Sequence, residues 1–309
     1  MGRDRALLPF VRVLRDTLLR RRRPVTIDFR ATKKMYVEGT LLFHAEVHRA
    51  LLLLKDKTAV AIIPPTNKKV LEVLKQIGFL GLIGSEVAVT PTADDVVHWC
   101  SAHGRRADGV SAGDLLTRTT GTMAEPVKRG LYAGLTEAMT NASEHAYLEP
   151  RSDGFGRSSD VDWWVFSQVR DERLTVVICD LGIGISRSLP HTAGAEPSLL
   201  KRLARILDPT RPHRDEGAIK FALEIGRTRT EMKHRGFGLF RNIRGVIDRH
   251  SAGSMFIASN RGCYAFALGG PPFGTGENTS RLSRSINGTI VGWSLPLSGQ
   301  AEAGDANSH

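Results

Sequence analysis

Within Leu131 to Tyr147, Glu137, Asn141 and His145 recur every four residues, so a helix would stack a carboxylate, an amide and an imidazole along one side. Leu135, Ala138, Met139 and Ala142 supply an apolar side for core packing. By itself that polar stripe would serve as a solvated face as readily as a site. A second element follows, in which the apolar run Leu174 to Cys179 predicts a buried strand and leads at once into Asp180-Leu181-Gly182-Ile183-Gly184-Ile185. An acid at a strand end followed by alternating glycines marks a turn where backbone approaches something closely. The third element is Gly236-Phe237-Gly238-Leu239, opening a helix with apolar Leu239, Ile243, Val246 and Ile247 and preceded by Lys233, His234 and Arg235. Unpaired N–H groups at such a helix start suit an anion.

Each motif alone is ordinary, but their order is specific. ExxxNxxxH on a helix, DxGxGI after a strand and GxGL before a helix resemble the signature of the GHKL, or Bergerat-type, ATP-binding fold. That family groups gyrase-like, chaperone, histidine-kinase and mismatch-repair ATPases. Glu137 to Tyr147 looks most like the first box of the anti-sigma-factor serine kinases, and Gly236 to Asp248 resembles their third. Asn287-Gly288-Thr289-Ile290-Val291-Gly292-Trp293-Ser294-Leu295-Pro296-Leu297 resembles the closing strand. The resemblance covers residues 122–297.

The resemblance implies an α/β sandwich, a mixed sheet with helices on one face, that binds ATP and Mg²⁺. Asp180 would accept a hydrogen bond from the adenine amino group, and Thr289 would help read the same base edge. Gly182 and Gly184 would let the chain turn without a Cβ striking the nucleotide. Asn141 would offer its carbonyl oxygen to Mg²⁺, which prefers oxygen ligands and keeps several waters. Glu137, one helical turn away, would polarise an attacking water or protein hydroxyl. Gly236, Gly238 and Leu239 would bring backbone N–H groups to the phosphates, with Lys233 and Arg235 as phosphate contacts or a solvated rim. His145 is open between a packing or supporting role and direct phosphate or catalytic contact. Ser186 to Arg235 corresponds to the family's mobile lid, with helical pattern over Leu199 to Leu207 and Ala218 to Ile225.

These boxes need a frame. Residues 1–24 read as a basic N-terminal helix: Leu7, Leu8, Val11, Leu14 and Leu18 fall at helical spacing, with arginines elsewhere and Arg20-Arg21-Arg22-Arg23-Pro24 closing it. Such a helix would face solvent, a partner or anionic surface, or DNA. Residues 25–90 alternate between strand and helix: Val25 to Phe29, Thr40 to Leu54, Thr58 to Pro64, then Asn67 to Ile77 stopped by Gly78. A small α/β domain with partly parallel pairing is expected. Its turn Tyr36-Val37-Glu38-Gly39-Thr40, Pro64-Pro65 and closing helix resemble the STAS-like domains of bacterial regulatory proteins. In their phospho-switch members a serine precedes the turn glycine; here Glu38 stands there, with Thr40 nearby. Residues 91–121 read as a connector and 298–309 as a disordered tail.

Composition narrows the setting. With 309 residues, about two domains are expected at ~150 residues each. The 41% hydrophobic and 24% charged content is that of a globular chain, and no apolar run reaches the ~20 residues of a membrane span. Three scattered cysteines without a CxxC pair argue against a disulfide framework or zinc site, and a cytoplasmic home is expected. Net charge is +11, of which residues 1–30 carry +6 and residues 190–235 carry +4. That concentration favours local phosphate chemistry over a DNA-coating surface. The expected protein is thus a regulatory ATP-binding switch with protein partners, a homodimer being open, and with slow ATPase or serine/threonine kinase activity. A sensor histidine kinase would need a phosphoacceptor histidine in an H-[DE]-x-x-x-P-like context, which none of the ten histidines has. A DNA-associated ATPase of this fold would use the arginine-rich start to hold nucleic acid, and a non-enzymatic adaptor would use the fold for protein contact only.

Overall fold

A computed structural model of the chain describes residues 4–121, 123–155, 161–192, 197–228, 238–271 and 274–297. In chain order the helices and strands are α1 (Asp4–Arg15), β1 (Val25–Asp28), α2 (Val37–Leu54), β2 (Val60–Ile63), α3 (Lys68–Gln76), α4 (Phe79–Leu82), α5 (Asp94–Val97), β3 (Trp99–Gly104), α6 (Gly109–Thr120) and α7 (Glu125–His145). Then follow β4 (Trp163–Arg170), β5 (Arg173–Asp180), α8 (Ile185–Thr192), α9 (Pro197–Ile206), α10 (Arg214–Thr228), α11 (Gly238–His250), β6 (Gly253–Ser259), β7 (Gly262–Gly270), β8 (Gly274–Arg281) and β9 (Thr289–Pro296). A π-helical turn, Asp16–Arg20, extends α1. Among the described residues no helix is long and apolar enough to cross a membrane.

The protein is a mixed α/β structure. Among the described residues, seven strands form one sheet in the order β3-β4-β5-β9-β6-β7-β8, every pair antiparallel, and β1 and β2 form a small parallel pair. The large sheet is therefore not mixed as expected; the parallel pairing is confined to β1 and β2, joined through α2 as a crossover.

Strand β5 is apolar at consecutive positions because both of its faces are covered. Leu174, Val176 and Ile178 point into a core with Leu135 and Met139 of α7 and Ile243 and Ile247 of α11. Val177 and Cys179 point the other way, into a core shared with Leu41, Leu42 and Ala45 of α2 and with Phe79. The helices of residues 122–297 that pack on the sheet thus lie on its first face, and the second is covered by α2 of the preceding segment. Trp164 and Phe166 of β4 also lie on the second face, and their apolar area is removed from water by α2. The 25–90 segment consequently shares one continuous core with the sheet rather than closing around its own.

Two further differences have local causes. The connector expected over 91–121 holds α5, the edge strand β3 and α6, whose Leu115 and Leu116 join the main core. Cys100 and Ala102 pack toward the main core, while Trp99, Ser101 and His103 share the opposite face, where His103 stacks on Trp164 at the sheet edge. The N-terminal helix is not a solvated one: Leu8, Val11, Leu14 and Leu18 are all buried, and α1 packs on α2. Thr40, the hydroxyl beside Glu38, is buried as well. The tail 298–309 lies outside the described residues.

A buried ionic cluster ties α1, α2 and the segment after α7 together. Arg151 Nη2 meets Glu46 Oε1 at 2.7 Å and Asp153 Oδ2 at 3.0 Å, and Arg15 bridges the same two acids at 3.4 and 2.5 Å. Arg49 donates to the Phe155 carbonyl at 2.7 Å. Arg151→Ala would leave Glu46, 2% exposed, with only the longer Arg15 contact. It should lower the unfolding free energy by about 3–5 kcal/mol in a urea titration, since stripping one partner from a buried pair exposes the other's desolvation cost. A loss under about 1 kcal/mol would mean that Arg15 alone neutralises the acids.

Candidate nucleotide site

Register assembles the floor of the site. Asp180 ends β5, pairs with Thr289 at the start of β9, and Thr289 pairs in turn with Ser259 at the end of β6. Three polar residues therefore sit abreast at one end of the sheet, on the face that carries α7. Asp180 Oδ1 accepts the N–H groups of Gly182 at 2.9 Å and Thr289 at 3.2 Å. The Thr289 hydroxyl lies 3.2 Å from that of Ser259. Burial outweighs these hydrogen bonds and pushes the Asp180 carboxyl up to about 6.

Helix α7 forms one wall, and its C-terminus is locked to the glycine turn. The Ala146 carbonyl accepts the Ile183 N–H at 2.7 Å. Tyr147 Oη accepts the Leu181 N–H at 3.1 Å and donates to the Asp162 carbonyl at 2.5 Å. The glycines answer to this packing. A Cβ on Gly182 would stand 2.0 Å from the Ala146 carbonyl oxygen, and Gly184 has φ +76° with Asn260 Nδ2 2.4 Å from the same test position. The close neighbour is the end of α7 beside Gly182 and the β6–β7 turn beside Gly184.

Asp180, Thr289, Gly184, Asn141 and His145 line a single pocket with a cavity volume of about 120 Å³, partly open to solvent. Its walls are otherwise mostly apolar, from Ala138, Ala142, Ile178, Ile257 and Val291, and α8 and α10 contribute Leu189 and Leu223, with Ser188 and Thr192 of α8 also polar. That mixture of apolar walls and a few convergent polar groups suits a small-molecule site. Two of those groups are unsatisfied: Asn141 Oδ1 and His145 Nε2 are buried without a hydrogen-bond partner among the described residues. An orphaned buried acceptor or ring nitrogen costs about 1–3 kcal/mol unless something else completes it. His145, open on sequence grounds, thus presents an unpartnered ring nitrogen at the pocket.

Glu137 stands apart. It is not among the residues lining this pocket, and its Oε1 accepts the Gly238 N–H at 3.3 Å, at the first residue of α11. That N–H is engaged by protein rather than presented to a phosphate. Leu239 follows within α11, its side chain outside the described residues, as are Lys233, Arg235 and Gly236 entirely.

The described part of the 186–235 segment is helical and anchored. Ile219 and Leu223 of α10 enter the main core, while Leu189, Leu203 and Phe221 make a small cluster of their own. Glu149, just after α7, holds α8 through Arg187 and through His191 Nε2 at 2.9 Å.

Sequence reasoning missed Ser259 and Asn260. Asn260 donates to the Ile183 carbonyl at 2.9 Å and braces the glycine turn from the opposite side to Ala146. Asn260-Arg261-Gly262 between two strand runs was the available hairpin signal, and Asn260 has φ +50°. Ser259 becomes visible only through strand register. Comparison with known proteins returned no matching family model, no matching curated protein and no matching solved structure.

Proposed function

We propose that this chain is a regulatory ATP–Mg²⁺-binding protein of the GHKL type, a nucleotide-dependent protein-interaction switch with slow ATPase or protein serine/threonine kinase activity. One observation supports this most directly: the Asp180 carboxylate and the orphaned Asn141 amide oxygen, from elements far apart in sequence, line the same pocket.

In this reading Asp180, held by two backbone N–H groups, accepts the adenine amino group with its remaining acceptor capacity. The Thr289 hydroxyl flanks that edge, backed by the buried Ser259 hydroxyl, and the apolar walls cover the ring. Asn141 Oδ1 is the protein's oxygen for Mg²⁺; among the described residues no group of three or more His, Cys, Asp or Glu could hold a metal. A single amide donor fits an ion that takes its other ligands from water and phosphate. When bound, the metal supplies charge neutralisation for the phosphates. His145 Nε2 is placed one turn beyond Asn141 to hydrogen-bond a ligand oxygen. Glu137 acts as proton acceptor for a water or hydroxyl once its Gly238 contact is released.

Calorimetric titration with ATP and GTP in the presence of Mg²⁺ tests the reading. ATP should bind and GTP should bind at least about tenfold more weakly, because the guanine carbonyl would face a carboxylate. Burial pushes the Asp180 carboxyl up to about 6. ATP affinity should therefore be constant above that pH and fall below it, by up to about tenfold per unit. Equal binding of the two nucleotides, or of neither, would overturn the assignment.

A further inference from the structure

A second concavity lies between α1 with its π-helical turn and the loop that precedes β9, away from the nucleotide pocket. Six arginines (Arg12, Arg15, Arg20, Arg21, Arg261 and Arg284) and two acids, Asp16 and Asp153, line it. Its cavity volume is about 850 Å³, and it opens to solvent. Arg15 is committed to Glu46 and Asp153, and Arg20 and Arg21 share Asp16. Arg261 spends its guanidinium on the Leu282 and Ser283 carbonyls at 3.4 and 3.1 Å, so its charge is not neutralised. Arg12 and Arg284 have no carboxylate partner among the described residues. Positive charge therefore faces the groove from both walls, and like charges held in one concavity favour an anionic occupant.

The rest of the lining narrows that occupant. Leu8, Pro9 and Val13 form an apolar strip, and Val13 is 64% exposed, so part of the ligand's surface should be aliphatic. Phe155 is the one aromatic ring in the lining, and the Arg20 guanidinium already sits over it at 5.4 Å. A single-stranded nucleic acid would want open aromatic faces for its bases, and this groove offers none.

We propose that this groove is a docking site for an extended acidic segment of a partner protein, its carboxylates engaging Arg12, Arg284 and Arg261 and an apolar side chain resting on Pro9 and Val13. The surface is separate from the nucleotide pocket, so it stands or falls independently of the ATP reading.

Fluorescence anisotropy on the full chain tests it. The probes are a short fluorescein-labelled peptide alternating Glu and Leu, its Gln–Leu counterpart, and an oligo-dT of matching charge. The Glu–Leu peptide should bind at least about tenfold more tightly than either control, and less so as salt rises. Arg12→Ala with Arg284→Ala should weaken it about tenfold, two exposed charge contacts being lost. Both residues are exposed, and unchanged thermal unfolding of the double variant verifies its fold. Oligo-dT binding as tightly as the acidic peptide, absence of peptide binding, or full binding by the double variant would each overturn the proposal.

Discussion

Asp180→Asn should weaken ATP binding about a hundredfold or more while making the protein more stable at neutral pH. The carboxyl is raised to about 6 from an ordinary 3.8, chiefly by desolvation. The folded state therefore favours the protonated form. Its contribution to stability is complete below about pH 4 and is lost as pH rises through about 6, reaching a cost near 3 kcal/mol for some two pKa units. An asparagine amide oxygen can still accept from the Gly182 and Thr289 N–H groups. It carries no charge, so the cost at high pH disappears. The amide's other end presents a donor where the adenine amino group also donates. Loss of a charge-assisted hydrogen bond and opposition of two donors should weaken ATP about a hundredfold or more. Urea titrations at about pH 4 and pH 7.5 should show the variant's advantage only at the higher value. A variant that binds ATP normally would leave Asp180 as a strand-end residue with no part in recognition.

Glu137→Gln should separate binding from turnover. The glutamine can keep the Gly238 N–H contact through its amide oxygen, so the start of α11 should be undisturbed. It cannot take a proton. Removing a positioned base typically costs a factor of 10² to 10⁴, so phosphate release or protein labelling should fall by about that much. ATP affinity should stay within about twofold, because Glu137 does not line the pocket. Turnover that survives unchanged would mean that the proton leaves by another route. On the proposed reading, the hydrogen bond to Gly238 must open before Glu137 can take a proton, so turnover should be slow.

The parts legible in the sequence are those written in local periodicity. The four-residue spacing of Glu137, Asn141 and His145 places Asn141 and His145 in the pocket, and α7 spans Glu125–His145. The apolar run before Asp180 is β5, ending at that residue. Other features are products of pairing between distant segments. That Asp180, Thr289 and Ser259 stand abreast depends on the registers of β5, β9 and β6. The placement of α2 behind the sheet depends on Trp164 and Phe166 finding a cover, which no local pattern specifies. Strand β3 was hidden because an edge strand's outward residues look like those of a loop. The reason for Gly182 was also out of reach, since the atom it makes room for is the carbonyl of Ala146, 36 residues earlier.

A crystal structure with Mg²⁺ and a non-hydrolysable ATP analogue tests the central claim most directly. The adenine amino group should lie within hydrogen-bond distance, about 3 Å, of the Asp180 carboxylate. The metal should be bound through an oxygen of Asn141 at about 2.1 Å, together with phosphate and water. A nucleotide seated elsewhere, or a pocket that excludes it at saturating concentration, would contradict the account.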